Sequence, residues 1–188
     1  QEAGPAEPTK DPWNYWVFRA NGGGNLSGES LNKSHSYRGS FSASRTTEIW
    51  KVSLSAGRNT NRSEFIVDPT LTIVSRQSSW NVSGLVVKSL GPRWSFGGRS
   101  NASHSSYSNT NTSFMAAPGI EFDVFPYKVS SQRSLTFQYT LGATHYNYRD
   151  VTIYDRLTET VPHHALNVSL GLRQPWGSIS ASASLTQH

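Results

Sequence analysis

The chain has 188 residues, of which 15% are charged, 35% hydrophobic and 12% aromatic, with a formal net charge of +5 at pH 7. Charge is too sparse for the surface of an ordinary soluble domain, where roughly 25% is usual, and apolar content is too low for a large water-excluded core. No cysteine is present, which excludes disulfides and thiolate metal sites. Lys and Arg are scattered singly, with no basic run, which argues against a nucleic-acid partner.

Residues 1–11 form a polar, Pro-rich lead that reads as disordered, like a mature N-terminus left after a secretion signal is removed. Residues 12–188 read as one domain of period-2 segments, the signature of strands with one apolar face. Trp13–Ala20 carries apolar residues on both faces. Tyr37–Arg45 alternates cleanly, with Tyr37, Gly39, Phe41 and Ala43 against Arg38, Ser40, Ser42 and Ser44. Trp50–Gly57 sets Trp50, Val52, Leu54 and Ala56 against Lys51, Ser53 and Ser55. Trp80–Ser89 starts in phase and loses it at Leu85-Val86-Val87, where a bulge is expected. Trp94–Arg99 alternates again. Phe114–Phe125 puts Phe114, Ala116, Pro118, Ile120, Phe122 and Val124 on one face. Pro118, which cannot donate to a ladder, marks an irregularity there. Leu135–Gly142, Leu166–Arg173 and Ile179–Leu185 complete nine strands. Their roughly 8–12 residues suit tilted strands crossing a bilayer.

The connections sort by length. Thr46–Glu48, Leu90–Arg93, Pro126–Gln132 and Gln174–Gly177 are short. Asn21–Ser34, Asn59–Ser79, Ser100–Ser113 and His145–His164 are longer and polar. Strict alternation of short and long is expected of an up-and-down transmembrane β-barrel, with tight periplasmic turns and longer external loops. It places the N-terminus in the periplasm. Trp13, Trp16, Trp50, Trp94, Tyr127 and Trp176 cluster at the short-turn ends, as one half of an interfacial aromatic girdle would.

Four segments carry a family resemblance: Asp11–Arg19, Leu85–Leu90, Phe125–Tyr127 with Leu135–Tyr139, and Leu172–Ser178. They resemble an uncharacterised family of bacterial outer-membrane β-barrel proteins. The resemblance spans nearly all of the chain after Asp11. It implies an all-β barrel in the outer membrane, with outer-membrane lipids and the barrel assembly machinery as partners, and it implies no activity. Such barrels usually end on an aromatic residue and have an even strand number, whereas this chain ends Leu185-Thr186-Gln187-His188. An incomplete, truncated barrel is therefore expected.

The candidate lumen-facing residues are Arg38, Lys51, Arg99, Glu121, Asp123, Gln138 and Arg173. They suit either an ion-selective lumen or charges that pair with one another inside a narrow barrel, the latter being preferred. His35, His104, His145, His163, His164 and His188 fall in or beside the long loops or at the terminus, so a nucleophilic triad is not expected. His163 and His164 point apart in extended chain and lack a third metal ligand. Gly22-Gly23-Gly24 reads as a flexible turn. The expectation is a structural or porin-like wall without enzymatic activity, cofactor or metal. The alternatives are an outer-membrane hydrolase built on a barrel and a soluble secreted β-sheet protein that binds ligand with its loops.

Overall fold

The computed structural model describes residues 11–68, 70–126 and 130–188. Nine strands follow one another: β1 (Trp16–Gly28), β2 (Asn32–Thr46), β3 (Trp50–Asp68), β4 (Leu71–Ser89), β5 (Trp94–Ser105), β6 (Thr110–Asp123), β7 (Arg133–Tyr148), β8 (Thr158–Gln174) and β9 (Gly177–Gln187). Each pairs antiparallel with the next in a single up-and-down sheet, and no helix is present among the described residues. The sheet is not closed: β1 and β9 are its two edges.

Because side chains alternate across a strand and paired residues share a face, the register assigns every residue to one of two faces. One face collects Phe41, Ala43, Leu54, Val82, Val86, Phe96, Phe114, Ile120, Phe137, Leu166 and Leu185. The other collects Ser42, Ser55, Ser83, Asn101, Ser113, Thr144 and Ser182. The apolar face is uncovered: Leu54 is 47% exposed, Val82 49% and Phe96 52%. Only Ala43 and Ala117 are buried apolar residues among those described.

Glycines reveal which way the sheet bends. On the polar face, a methyl group added at Gly97 would come 2.5 Å from the Val86 carbonyl oxygen, and one at Gly142 would come 2.6 Å from the Ala117 Cβ. On the apolar face, Gly22 and Gly39 have nothing within 4 Å of an added Cβ. Side chains crowd on the inside of a curved sheet and spread on the outside, so the polar face is concave and the apolar face convex. Small residues on the inside permit this bend.

Four connections predicted as long loops are instead extensions of the ladder. β1 runs to Gly28, β3 to Asp68, β5 to Ser105 and β7 to Tyr148, and their partners start at Asn32, Leu71, Thr110 and Thr158. Just beyond the apolar segment both faces are polar, as over Arg58–Ser63 of β3, so alternation of hydropathy stops while backbone pairing continues; apolar residues return at the β3–β4 tip with Phe65, Ile66, Val67, Leu71, Ile73 and Val74. Connection lengths therefore do not sort the two ends. What differs is strand length: at the end bearing the β3–β4 turn, here called distal, strands continue past the apolar region. At the opposite, proximal end they stop with it.

Gly22–Gly24 accordingly lies within β1, opposite Gly39, Arg38 and Tyr37, and is not a turn. His35, His104, His145, His163 and His164 lie in strands, not loops. The bulge expected at Leu85–Val87 is absent: β4 holds its register there with both neighbours. Val86 keeps its place on the convex face, while Leu85 and Val87 are apolar residues on the concave one. The register instead shifts at Ile66/Asp68 and at Thr110/Thr112. Of the lead 1–11, only Asp11 is described; its carboxylate accepts from the amides of Trp13 and Tyr15 at 3.0 and 2.6 Å, fixing the turn into β1.

Candidate functional site

The concave face holds all seven candidate lumen residues. Arg38 belongs to β2, Lys51 to β3, Arg99 to β5, Glu121 and Asp123 to β6, Gln138 to β7 and Arg173 to β8. In the register Arg38 faces Asn59, Lys51 faces Thr46 and Val87, Arg99 faces Leu85 and Ala117, and Arg173 faces Ser178.

Three of them meet. The Arg99 guanidinium donates to Gln138 Oε1 at 3.1 Å, and Gln138 Nε2 donates to Glu121 Oε2 at 3.2 Å. Arg99 and Gln138 sit on strands separated by β6, and the intervening Ala117 and Gly119 are small enough for the arginine to reach across. Beside them the Thr136 hydroxyl donates to Asp123 at 2.7 Å. Leu85, Val87, Gly97 and Thr140 complete an open depression of about 40 Å³ against this chain of groups.

Arg38, Lys51 and Arg173 make no hydrogen bond to this cluster among the described residues. Arg99 and Glu121 are joined through Gln138 and not by a direct ion pair. Among the described residues the ion pairs are Arg62–Glu64 and Arg156–Glu159, and neither includes a candidate lumen residue. The side chains on strands this far apart reach amides and hydroxyls before they reach an opposite charge. Arg38 lines a wider recess of about 400 Å³ with Asn21–Asn25, Ser36, Ser40 and Asn59. Elsewhere serines bond across strands, Ser55 to Ser83 at 2.7 Å and Ser103 to Ser113 at 2.8 Å.

No histidine among the described residues is hydrogen-bonded to a carboxylate. His104 contacts the Asn111 carbonyl, His145 Nδ1 meets Thr160 at 2.9 Å and His164 Nε2 meets Gln187 at 3.2 Å. No cluster of three or more metal-ligating side chains occurs among the described residues.

The aromatic candidates stand at the proximal end. Trp16, Trp50 and Trp94 begin β1, β3 and β5, and the register puts all three on the convex face. Trp13 lies in the turn before β1 and Trp176 in the turn between β8 and β9, both exposed. Tyr127 lies outside the described residues. Sequence reading missed Trp80 at the distal end of the convex face, stacked on His104 with centroids 6.2 Å apart. Its signal was present, since Trp80 keeps the phase of Val82.

At the distal tips, Arg149 donates to the carbonyls of Ser105 and Ser106 at 3.2 and 3.0 Å, tying two hairpins together. There the Tyr148 hydroxyl donates to Glu159 at 2.5 Å, which pushes the Tyr148 pKa up to about 12.

No protein family, curated protein or solved structure matches the chain.

Proposed function

We propose that the sheet is the wall of an outer-membrane β-barrel, its convex face against lipid and its concave face lining a polar interior, with a structural or porin-like role and no catalytic step. One observation carries this reading: the apolar belt crosses the hydrogen-bonded rows obliquely.

Arg45 faces Val52, Val52 faces Val86, Val86 faces Gly98 and Gly98 faces Pro118. With Ala116 opposite Ala143 and Gly119 opposite Thr140, the row reaches Leu141, which faces His164, which faces Gln187. From β2 to β9 the row is thus polar, then apolar, then polar, and on β1 it ends on Trp16. On β3 the belt spans Trp50–Ala56, with Ser53 at its centre; on β8 it spans Leu166–Leu172, with Ser169 at its centre. The row through Ser53 passes Leu85, Arg99 and Ala117 and arrives at His163, short of Ser169. That offset of about six residues over about five strand spacings corresponds to a tilt of roughly 40° at ~3.4 Å per residue and ~4.8 Å per strand. Membrane barrels tilt their strands by about 35–45°, and the belt, ~20 Å long along each strand, is then roughly 16 Å tall, thinner than the ~25 Å of such barrels.

The polar inside supports the same reading, as do the tryptophans at the belt's two edges. A soluble sandwich needs a second layer on the apolar face, and the described residues provide none. In a bilayer the edges of β1 and β9 both require hydrogen-bond partners, because an unpaired backbone group costs several kcal/mol in lipid.

The chain has no cysteine, so single thiols report cleanly. Leu54→Cys and Val82→Cys sample the convex face, Ser55→Cys and Ser83→Cys the concave one. After refolding into phosphatidylcholine vesicles, the convex thiols should resist a water-soluble maleimide and react in urea. Equal labelling in vesicles and urea, or recovery of the chain as a soluble monomer, would rule the reading out.

A further inference from the structure

Beyond the distal edge of the belt, the convex face carries a charge arrangement that a bare lipid-facing wall does not need. Arg58 and Arg62 lie four residues apart on β3, hence on one face, with Thr60 between them. Arg62 directly faces Arg76 of β4 and, on its other side, His35 of β2. Thr60 faces Ser78, and Arg58 faces Trp80. Three guanidinium groups therefore surround two hydroxyls, and all three arginines are exposed. One row further out, Lys33 faces Glu64, the one acid in this patch among the described residues. Glu64 sits 2.5 Å from Arg62.

Four cations thus share one carboxylate. Directly opposed side chains on neighbouring strands bring their Cβ atoms within about 5 Å, where like charges destabilise the pair. Glu64 relieves Arg62 and leaves Arg76 uncompensated. An arrangement that costs stability when empty gains from an anion between the two guanidiniums, and arginine matches phosphate with paired, charge-assisted hydrogen bonds.

Position names the source of that anion. Arg58 lies in the same row as Trp80, the last aromatic residue of the belt on β4. The Arg62–Arg76 row is four residues beyond, roughly 10 Å further along the bilayer normal once strand tilt is allowed for. Ala56 and Val82 continue the apolar surface immediately below. A ligand with phosphates at the level of the arginines and acyl chains on the belt satisfies both surfaces at once.

We infer that this patch, formed by Arg58, Arg62 and Arg76 around Thr60 and Ser78, binds the phosphates of an anionic lipid whose acyl chains lie against the convex belt. A headgroup bearing two phosphates fits three arginines better than a singly charged one. The assignment rests on the membrane reading, and the test separates the two.

The chain is refolded into detergent micelles doped with diphosphoryl lipid A, with dioleoyl phosphatidylglycerol, or with neither, and native mass spectrometry counts retained lipid. Insertion into phosphatidylcholine vesicles is scored in parallel by heat-dependent gel mobility. The wild type should insert and retain one lipid A, with phosphatidylglycerol retained at least tenfold less. Arg62→Ala/Arg76→Ala should insert equally well and lose at least nine-tenths of the lipid A adduct. Lys51→Ala/Arg173→Ala, which removes two cations from the concave face, should retain it. The wild type without lipid A should unfold at lower urea than Arg76→Gln, because the substitution removes the opposed charge. Equal retention by the Arg62/Arg76 variant, displacement by 50 mM inorganic phosphate, or no adduct on an inserted wild type would each overturn the site. Failure of the wild type to insert would overturn the membrane reading and the site with it.

Discussion

Lys88 and Trp50 face each other across the β3–β4 pair at the proximal edge of the convex belt, with the Lys88 ammonium 5.4 Å from the centroid of the indole ring. The tryptophan opens β3 just where the apolar stretch begins, and the lysine closes the apolar run of β4. A ring with an apolar body beside a cation with a long methylene stem suits the boundary between hydrocarbon and water. The contact itself is modest, about 0.5–1 kcal/mol for an exposed cation–π pair. A double-mutant cycle with Lys88→Met and Trp50→Leu, measured by urea unfolding in micelles, should return a coupling in that range. A coupling near zero would leave Lys88 as a solvated end-of-strand charge.

The bend of the sheet makes opposite predictions for glycines on its two faces. Gly97 has backbone of β4 where a Cβ would go, and Gly119 has the Thr140 side chain at 2.7 Å and the Tyr139 carbonyl oxygen at 2.9 Å from an added Cβ. Gly97→Ala and Gly119→Ala should each cost about 1–3 kcal/mol through overpacking. Gly39 faces outward into open space, so Gly39→Ala should be neutral or stabilising by up to about 1 kcal/mol, since alanine has less freedom to lose on folding. Urea midpoints of the three variants check this. If Gly39→Ala proves the most damaging, the concave and convex faces have been assigned the wrong way round.

Strand number and face were legible in the sequence wherever an apolar residue met a serine, as in Phe41-Ser42-Ala43 and Val52-Ser53-Leu54. Strand ends were not. Past Ala56 the residues Arg58, Thr60 and Arg62 face one way and Asn59, Asn61 and Ser63 the other, with no change of polarity for a periodicity to register. Backbone pairing needs no such contrast, so the ladder outruns its own signal. The same reason hid the distal arginines: Arg76 comes from a different strand and joins Arg58 and Arg62 only through register. Among the concave residues, Arg99, Gln138 and Glu121 were each legible as polar positions. Their joining depends on Ala117 and Gly119 being small, a property of the strand between them.

Tyr148 reports on the distal hairpins through pH. Its hydrogen bond to Glu159 holds the proton on the phenol and pushes its pKa up to about 12, with the Glu159 charge adding to the effect. The folded value lies above the unfolded value of about 10. The contribution to stability is therefore complete below pH 10 and is lost as pH rises from there through 12. A titration of phenolate absorbance should show one tyrosine ionising late, and Glu159→Gln should return it toward the others. Unchanged titration in that variant would detach the shift from Glu159.

The belt itself is best tested by charge placed along one hydrogen-bonded row. Val86, Leu141 and Gln187 belong to the row that runs from Arg45 to Gln187, with Leu141 facing His164 and His164 facing Gln187. If strands crossed the membrane upright, all members of a row would sit at one depth and an arginine would cost the same at each. With strands tilted by roughly 40°, the row lies near the belt's midplane at Val86, nears its distal edge at Leu141 and has left it at Gln187. Arginine on the lipid face of such a barrel costs about 2–4 kcal/mol at the midplane and about 0–1 near the interfaces. Val86→Arg should therefore be costly, Leu141→Arg intermediate and Gln187→Arg close to neutral. Ser83→Arg, on the concave face of β4, should lack the lipid penalty altogether. Folding free energies of the four variants in phosphatidylcholine vesicles give the order directly. A uniform cost along the row would remove the tilt, and with it the main support for the membrane reading. An equal cost at Ser83 and Val86 would remove the distinction between the faces.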